Sequence, residues 1–500
     1  MKRQARVISR EPAAEAAGQA DNNWVTRGSG HLERPAQSHR VVLDSNRGGG
    51  LRWAVALCSP WPARRPAPAP WPSASPAPGG IAISTEASAR GRSTLGTPRS
   101  DPAPARATFG AVFAIGEFRA LWIAQVLSVA GDQLARVALT LLVFERTRSP
   151  LLAAVTFAAS VVPAFIGGIT LSGLADRLPR RRVMIACDLI RLVLVAVMAV
   201  SGMPVLALVV LLFLVTMIGA PFLSARAALY PDILTGDLYV LGTAVTLTTL
   251  QFAQVLGFAV GGAVVAFFGF RVSLLIDAAT FAISALITCI WVRSWAAARP
   301  AVKRGSGARD GLLAGLRLVF GHPALRIPML LGWLAAFYNL PEGVAAPLAA
   351  ALGGGAVAVG FILAAPALGA SVGAIAFSRF VAPARRVRWM TPLAVAACGV
   401  LVLFVFRPPL PIALLVLGVS GIFDCYQLAA NASFVAATPV PQRSQAFGIA
   451  QGGMSLGQGL AMVMAGAAAE RFHPSFVIAA GGAVGAVAAV AIAFTRRRAR

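Results

Sequence analysis

From Phe118 to Thr495 the chain repeats one pattern: an apolar run of about twenty residues, a short polar or arginine-rich break, then another run. Two examples are VLALVVLLFLVTMIGAPFL at 205–223 and SLLIDAATFAISALITCIWV at 273–292. A helix rises about 1.5 Å per residue, so roughly 20 residues cross the ~30 Å hydrocarbon core of a bilayer. Twelve windows meet that length. They are too long for the strands of a membrane barrel, and lipid offers no partner to an unpaired backbone group. The pattern therefore predicts an all-α integral membrane protein. The seventh and tenth windows are the least regular, because Asn339, Pro341 and Glu342 interrupt one and Asp424 the other.

The breaks are as informative as the runs. GLADRLPRRR, at 173–182, packs five charged residues between the second and third windows. Arginine and lysine also crowd the breaks after windows 6, 8 and 12, and Arg226 and Arg443 follow windows 4 and 10. The alternate breaks carry only Arg146, Arg148, Arg271, Arg407 and Arg471, giving twenty-one cations at one end of the bundle against five at the other. By the positive-inside rule the crowded end faces the cytoplasm, and an even number of crossings puts both termini there. The longest break follows window 6. It divides the chain into a bundle over 109–292, a central loop over 293–325, a second bundle over 326–495 and a basic tail over 496–500. Residues 1–108 break the pattern: PWPARRPAPAPWPSASPAPGG is rich in proline and alanine without a period, the composition of a disordered segment.

Composition narrows the class. A chain 57% hydrophobic and 13% charged, with mean hydropathy +0.73, has too little polar surface for a soluble fold of this length. The net charge of +25 would suggest nucleic acid in a soluble protein. Here the charge lies in the breaks and in the tail, so no nucleic-acid partner is expected. The chain has two lysines, Lys2 and Lys303, and neither sits in a phosphate-binding G-x-x-x-x-G-K-[ST] loop, which excludes a nucleotide-driven pump. No clustered acidic ligand set or Cys/His spacing implies an enzyme, a metal or a cofactor.

The two six-window halves echo each other at an offset of roughly 200 residues. Gln251 and Gly257 have counterparts Gln451 and Gly457, EFRALW at 117–122 matches ALRIPM at 324–329, and ADRLPRRR is echoed by FSRFVAPARRVR. SGLADRLPRR at 172–181 resembles the G-x-L-A-D-R-x-G-R-R/K loop of the major facilitator superfamily. FRALWIAQVLSVAGDQ, ARAALYPDIL and VFGHPALR look like its branch of enterobactin and macrolide exporters. The resemblance covers Phe118 to Thr495. It implies two pseudo-symmetric six-helix bundles, and a monomeric carrier of the plasma membrane exporting an amphipathic small molecule such as a drug or siderophore. Proton-coupled antiport is one form of such export. An importer of a small metabolite, or a carrier fold kept as a non-transporting sensor or scaffold, is the alternative. Ser172 and Pro179 stand where the loop motif has glycine. AQVLGFAVGG at 253–262 keeps Gly257, Gly261 and Gly262 of the fifth-span antiporter motif but has Ala253 and Phe258 in place of glycine and proline. The fourth-span R-x-x-Q-G motif is absent.

Candidate chemistry follows from charges that lipid makes costly. Asp176 can accept from a helix N-terminus of the opposite half, or pair with Arg177, Arg181 or Arg226, as a gate that forms when the cytoplasmic face closes; the bland reading is a solvated charge cluster. Asp132 and Arg136, four apart, share a helix face and can neutralise each other. Asp188 with Arg191, and Asp277, read as structural. Glu342 and Asp424 have no basic partner in register, so with Asp132 they are candidates to carry a coupling proton, or else they sit at aqueous helix ends. Asn339, Gln427 and Asn431 are candidate hydrogen-bonding groups for a substrate. Gly257, Gly261, Gly262, Gly453 and Gly457 have the spacing of close helix packing. Periplasmic-reporter fusions test the topology: alkaline phosphatase is expected to be active after Arg148 or Arg407 and inactive after Arg182 or Arg388.

Overall fold

The computed structural model describes residues 108–171, 178–293, 308–439 and 442–498. The proline-rich leader expected to be disordered, Asp176 and Arg177 lie outside them. The described residues form helices and no strand. Local chemistry sets the boundaries. Span 1, Gly116–Thr147, ends where Arg148 adopts a left-handed φ of 54°. Ser149 then accepts from the Leu152 amide at 3.2 Å, and Pro150 takes the first helical position, where its missing N–H costs nothing. Span 2, Pro150–Thr170, crosses with a break at 159–161, just ahead of Pro163.

Eight helices are long and apolar enough to cross a membrane unaided. One of them, Asp237–Trp291, runs 55 residues but leaves helical geometry at Gly269, where φ is 76°. A side chain would resist that conformation. Gly257 before the break and Asp277 after it both pack on the Ala130–Gln133 level of span 1, so the run is a hairpin of spans 5 and 6. Span 3, Arg180–Met198, and span 11, Arg443–Ala469, are less apolar because of their arginine, glutamine and serine. Span 7 is broken into Pro323–Trp333, Ala335–Tyr338, Leu340–Gly343 and Ala345–Ala351. With span 4, Val205–Ile233, span 8, Ala356–Phe380, span 9, Pro383–Phe406, span 10, Leu410–Ala437, and span 12, Pro474–Thr495, the crossings among the described residues number twelve.

Two expectations about the breaks change. The stretch assigned to the central loop contains a helix, Ala308–Gly321, set at 97° to the start of span 7. Its GLLAGLRLVFG spacing gives one apolar face, and Gly315 within it packs on Ile449 of span 11. At the other end, the last helix continues to Arg498, so the basic tail begins as a helical turn.

The internal repeat is visible as matched close packing. In the first half Gly167 of span 2 lies on the Met217 carbonyl of span 4. In the second, Gly369 of span 8 lies on the Gly418 carbonyl of span 10, and Gly421 lies on that of Pro366. Apolar packing between the halves is uneven. At the arginine-poor end one buried core joins them, including Leu134, Val137, Phe157 and Phe258 from one side and Val344, Leu348, Val359 and Leu363 from the other. At the arginine-rich end the cores are separate: Phe118, Met184, Leu229 and Tyr230 in the first half, Val319, Met329, Phe434 and Ala446 in the second. The joined end is sealed by backbone. A Cβ on Gly262 would lie 2.6 Å from the Ala356 carbonyl oxygen and 2.9 Å from Gly360 Cα; one on Gly360 would lie 2.6 Å from the Phe258 carbonyl oxygen. At its rim Ser149 donates to Glu470, whose carboxylate also accepts from the Leu151 amide at 3.1 Å.

The seam predicts a cross-link. Cysteines replacing Ser149 and Glu470, in an otherwise cysteine-free background, are expected to join in high yield. Adding Gly360→Leu, which wedges a side chain between two backbones, is expected to lower that yield several-fold. An unchanged yield on a non-reducing gel rejects the seam as the closing contact.

Candidate functional site

Each half carries a polar cavity. The first, about 580 Å³, is lined by Gln125, Asp132, Arg136, Arg191, Gln254 and Asp277 among others. The second, about 440 Å³, is lined by Tyr338, Asn339, Asp424, Gln427, Asn431 and Gln451 among others. Both volumes fall in the range of small-molecule sites.

In the first cavity the structure departs from the expected pairing along span 1. Asp132 is joined to Arg191 of span 3, with Oδ1 accepting from Nη2 at 2.7 Å. The Arg191 guanidinium also lies 4.0 Å from the centre of the Phe281 ring, so span 6 closes over it. Arg136 turns instead to the break in span 2 and donates to the Ser160 carbonyl at 3.2 Å. Pro163 interrupts that helix, and Arg136 gives the exposed carbonyl a partner. Glu342, which the sequence leaves without a basic partner, lies in the field of Arg136 from the opposite half. Two other carboxylates complete the cluster. Asp188 is buried and accepts from Ser284 Oγ at 2.6 Å. Asp277, which the sequence marks as structural, is buried against Gly131, whose missing side chain makes room for it and Thr280.

The second cavity is built where spans 7 and 10 lose regular helix, at the residues that interrupt their apolar runs. Span 7 breaks at Leu334, Asn339 and Val344, and span 10 at Asp424 and Cys425. Tyr338 Oη donates to Asp424 Oδ1 and accepts from Gln427 Nε2 at 2.8 Å. Gln427 Nε2 also donates to the Gly332 carbonyl at 3.0 Å, and Tyr426 Oη donates to that of Leu331 at 2.9 Å. The freed backbone and the one carboxylate thus find partners across two broken helices. Asn339 and Asn431 line the same cavity. Trp333, held by a 2.9 Å hydrogen bond from Nε1 to the Ala450 carbonyl, closes one wall.

The gate candidates are placed in part. Asp176 and Arg177 lie outside the described residues. Arg181 donates to the Cys289 carbonyl and so ties span 3 to the end of span 6. Arg226 is buried with Nε and Nη1 lacking a partner among the described residues, its guanidinium 5.8 Å from the Tyr230 ring centre. The packing glycines divide by role. Gly257 and Gly261 admit span 1, with hypothetical Cβ atoms 2.9 Å from Gln133 Cβ and 3.2 Å from Leu134 Cα. Gly262 meets the other half, Gly453 receives the Trp333 ring, and Gly457 makes only ordinary contact with Ala336. Arg191 as the partner of Asp132, and Tyr338 as that of Asp424, have no signal in sequence spacing.

Against known proteins, the family model described as Major Facilitator Superfamily matches residues 121–342 and 343–500. The Multidrug efflux pump Tap of Mycobacterium tuberculosis is 27% identical over 315 residues, covering 60% of this chain and 74% of that protein; Tap of Mycobacterium bovis matches to the same extent. Among solved structures, the POT family transporter PepTSo superposes with a TM-score of 0.61 at 13% identity, over 76% of this chain and 98% of that one. The nucleoside transporter NupG gives 0.54 at 17% identity, over 75% and 98%. A bacterial homologue of the human lysosomal transporter Spinster, in an inward-facing and unoccupied conformation, gives 0.53 at 15%, over 77% and 95%. These structural likenesses show the fold.

The pair, with Arg191 buried and Asp132 partly buried at the cavity wall, predicts a stability cycle. Asp132→Ala leaves Arg191 without its carboxylate and is expected to cost on the order of 3 kcal/mol, read as a lower unfolding midpoint in detergent. Asp132→Ala with Arg191→Met removes both charges and is expected to recover most of that loss. A single variant that melts like the parent rejects the pair.

Proposed function

As a member of the major facilitator superfamily, to which its matched residues assign it, the chain is a multi-pass membrane transporter, and we propose that it exports amphipathic small molecules across the plasma membrane by alternating access. The observation carrying this reading is the uneven seam between the halves: one shared apolar core at the arginine-poor end, separate cores at the other, and a polar cavity in each half. With the arginine-rich end cytoplasmic, this arrangement corresponds to a state open to the cytoplasm. The likeness to Tap, a multidrug efflux pump by name, favours export and a broad cargo class.

The geometry supports the following cycle. Cargo enters between the halves from the cytoplasm and meets Asp132 and Arg136 on one side, and Asn339, Glu342, Asp424, Gln427 and Asn431 on the other. Closing the cytoplasmic end brings the Asp176 loop against its partners, with Arg177, Arg181 and Arg226 supplying positive charge around it. Opening the outer end parts Gly262 from Gly360 and Ser149 from Glu470. Each contact exists in one state only, so together they set the balance between two conformations. Protons entering through Asp132, Glu342 or Asp424 drive the cycle, because neutralising one carboxylate alters the attraction across the cavity; the through-space attraction between Arg136 and Glu342, which stand in opposite halves, is the one most directly affected. The transporter works as a monomer, since each chain contains both halves of the site.

Expression in an efflux-deficient bacterial host is expected to lower steady-state accumulation of a fluorescent amphipathic dye several-fold. Asp176→Asn is expected to abolish most of that effect at normal membrane abundance. Asp132→Asn, Glu342→Gln and Asp424→Asn are each expected to weaken export, and at least one to flatten its dependence on external pH. Raised accumulation on expression identifies an importer. Unchanged pH dependence in all three variants removes proton coupling.

A further inference from the structure

Spans 7, 11 and 12 enclose a third cavity of about 780 Å³, separate in character from the polar pair. Its lining is apolar, and Leu460, Met464, Phe472 and Val484 along it are largely exposed, so it opens toward the surrounding lipid. Small residues create it. Span 11 presents Gly453, Gly457, Ala461 and Ala465 toward it, and span 12 presents Ala480 and Gly481. Span 12 leans away onto span 9, where a Cβ on Gly482 would lie 2.7 Å from both the Cys398 carbonyl oxygen and Leu401 Cβ. Leu340 and Phe337 of span 7 form the floor. From Gly453 to Ala468 the groove follows span 11 for about 22 Å, more than the ~15 Å of hydrocarbon in one leaflet.

The mouth of the groove is cationic. Phe476 lines it, and the Arg407 guanidinium lies 4.6 Å from the centre of that ring. His473 packs edge-on against the same ring at 6.3 Å. Its Nδ1 takes a 3.2 Å hydrogen bond from the Ser475 amide, which leaves the hydrogen on Nε2. Burial first, and then the neighbouring Arg407 charge, hold the imidazole below its ordinary pKa. Arg471 directly precedes Phe472, another lining residue. Glu470 is engaged by Ser149 and Leu151, and neither Arg407 nor Arg471 has an ion pair among the described residues. Arg407 therefore stands unneutralised at an apolar slot open to lipid, and Arg471, next in sequence to the lining residue Phe472, has no ion pair among the described residues either.

We infer that this groove holds one acyl chain of an anionic phospholipid, whose phosphate sits at Arg407, Arg471 and His473. A long apolar slot with unpaired guanidinium groups at its water-facing end matches that amphiphile in both parts. The chain end reaches Trp333, which also lines the cavity of Tyr338 and Asp424, so an occupied groove braces one wall of the polar site.

Native mass spectrometry of the full chain, released from nanodiscs of equimolar phosphatidylglycerol and phosphatidylcholine with identical acyl chains, tests the assignment. The expected result is one retained lipid per chain, with phosphatidylglycerol favoured at least five-fold. Arg407→Gln with Arg471→Gln is expected to erase the head-group preference, and Ala480→Trp, at an exposed lining position, to reduce retention of both lipids. Equal retention of the two lipids by the parent protein overturns the proposal without recourse to any variant. Displacement of the retained lipid by soluble glycerol phosphate overturns it too, since that makes the site one for free phosphate. Retention unaffected by Ala480→Trp places the lipid elsewhere and likewise overturns it.

Discussion

Taking a charge or a backbone polar group out of water, with no water to return to, costs several kilocalories per mole unless a partner replaces the lost hydration. Both the fold and the site of this transporter follow from that cost. It makes every crossing helical, and it recruits a partner wherever a helix is interrupted. Arg136 covers the carbonyl released at the break in span 2. Gln427 and Tyr426 do the same for the span 7 carbonyls of Gly332 and Leu331. The groups that satisfy the broken helices are thus among those that give the cavities their polarity. Structure and binding chemistry draw on the same atoms.

The same cost explains why charges cluster. Asp132, Asp188 and Asp277 share the first half with Arg136 and Arg191, three carboxylates around two guanidinium groups. Such a cluster is rigid where it is paired and responsive where it is not. Arg191 is fixed by both Asp132 and Phe281. Arg136 is the member whose field reaches across to Glu342 of the second half. A conformational change that moves one half against the other alters this last interaction while leaving the Asp132–Arg191 bridge, both of whose members belong to the first half, whole.

How much of this could be read from the sequence depends on the range of each interaction. Period, length and charge bias are local or additive, so the helices, the two halves and the charge-poor end are legible directly. The irregular windows mark the second cavity for the same reason: Asn339 and Asp424, which line it, are conspicuous in apolar runs. Partners are not legible. Asp132 and Arg136 stand four residues apart, an ion-pair spacing on an isolated helix, yet neighbouring spans offer each a better contact. Tyr338 and Asp424 are 86 positions apart, and nothing in either local pattern announces the other. Gly262 stands out among its neighbours as a packing residue, but its counterpart Gly360 lies in the other half and carries no comparable signal. Amphipathic spacing in GLLAGLRLVFG does foretell the helix in the central segment, but not that it packs on span 11.

The Gly262–Gly360 contact has a mechanical consequence. Where two surfaces interlock through side chains, parting them requires each to leave its rotameric well, and reassembly must find those wells again. Main chain lying against main chain has no such teeth. In the proposed cycle the two faces come apart and rejoin like smooth plates held by dispersion forces, with little friction at this junction. Even a single added methyl group would act there as grit in a bearing, far from any cargo.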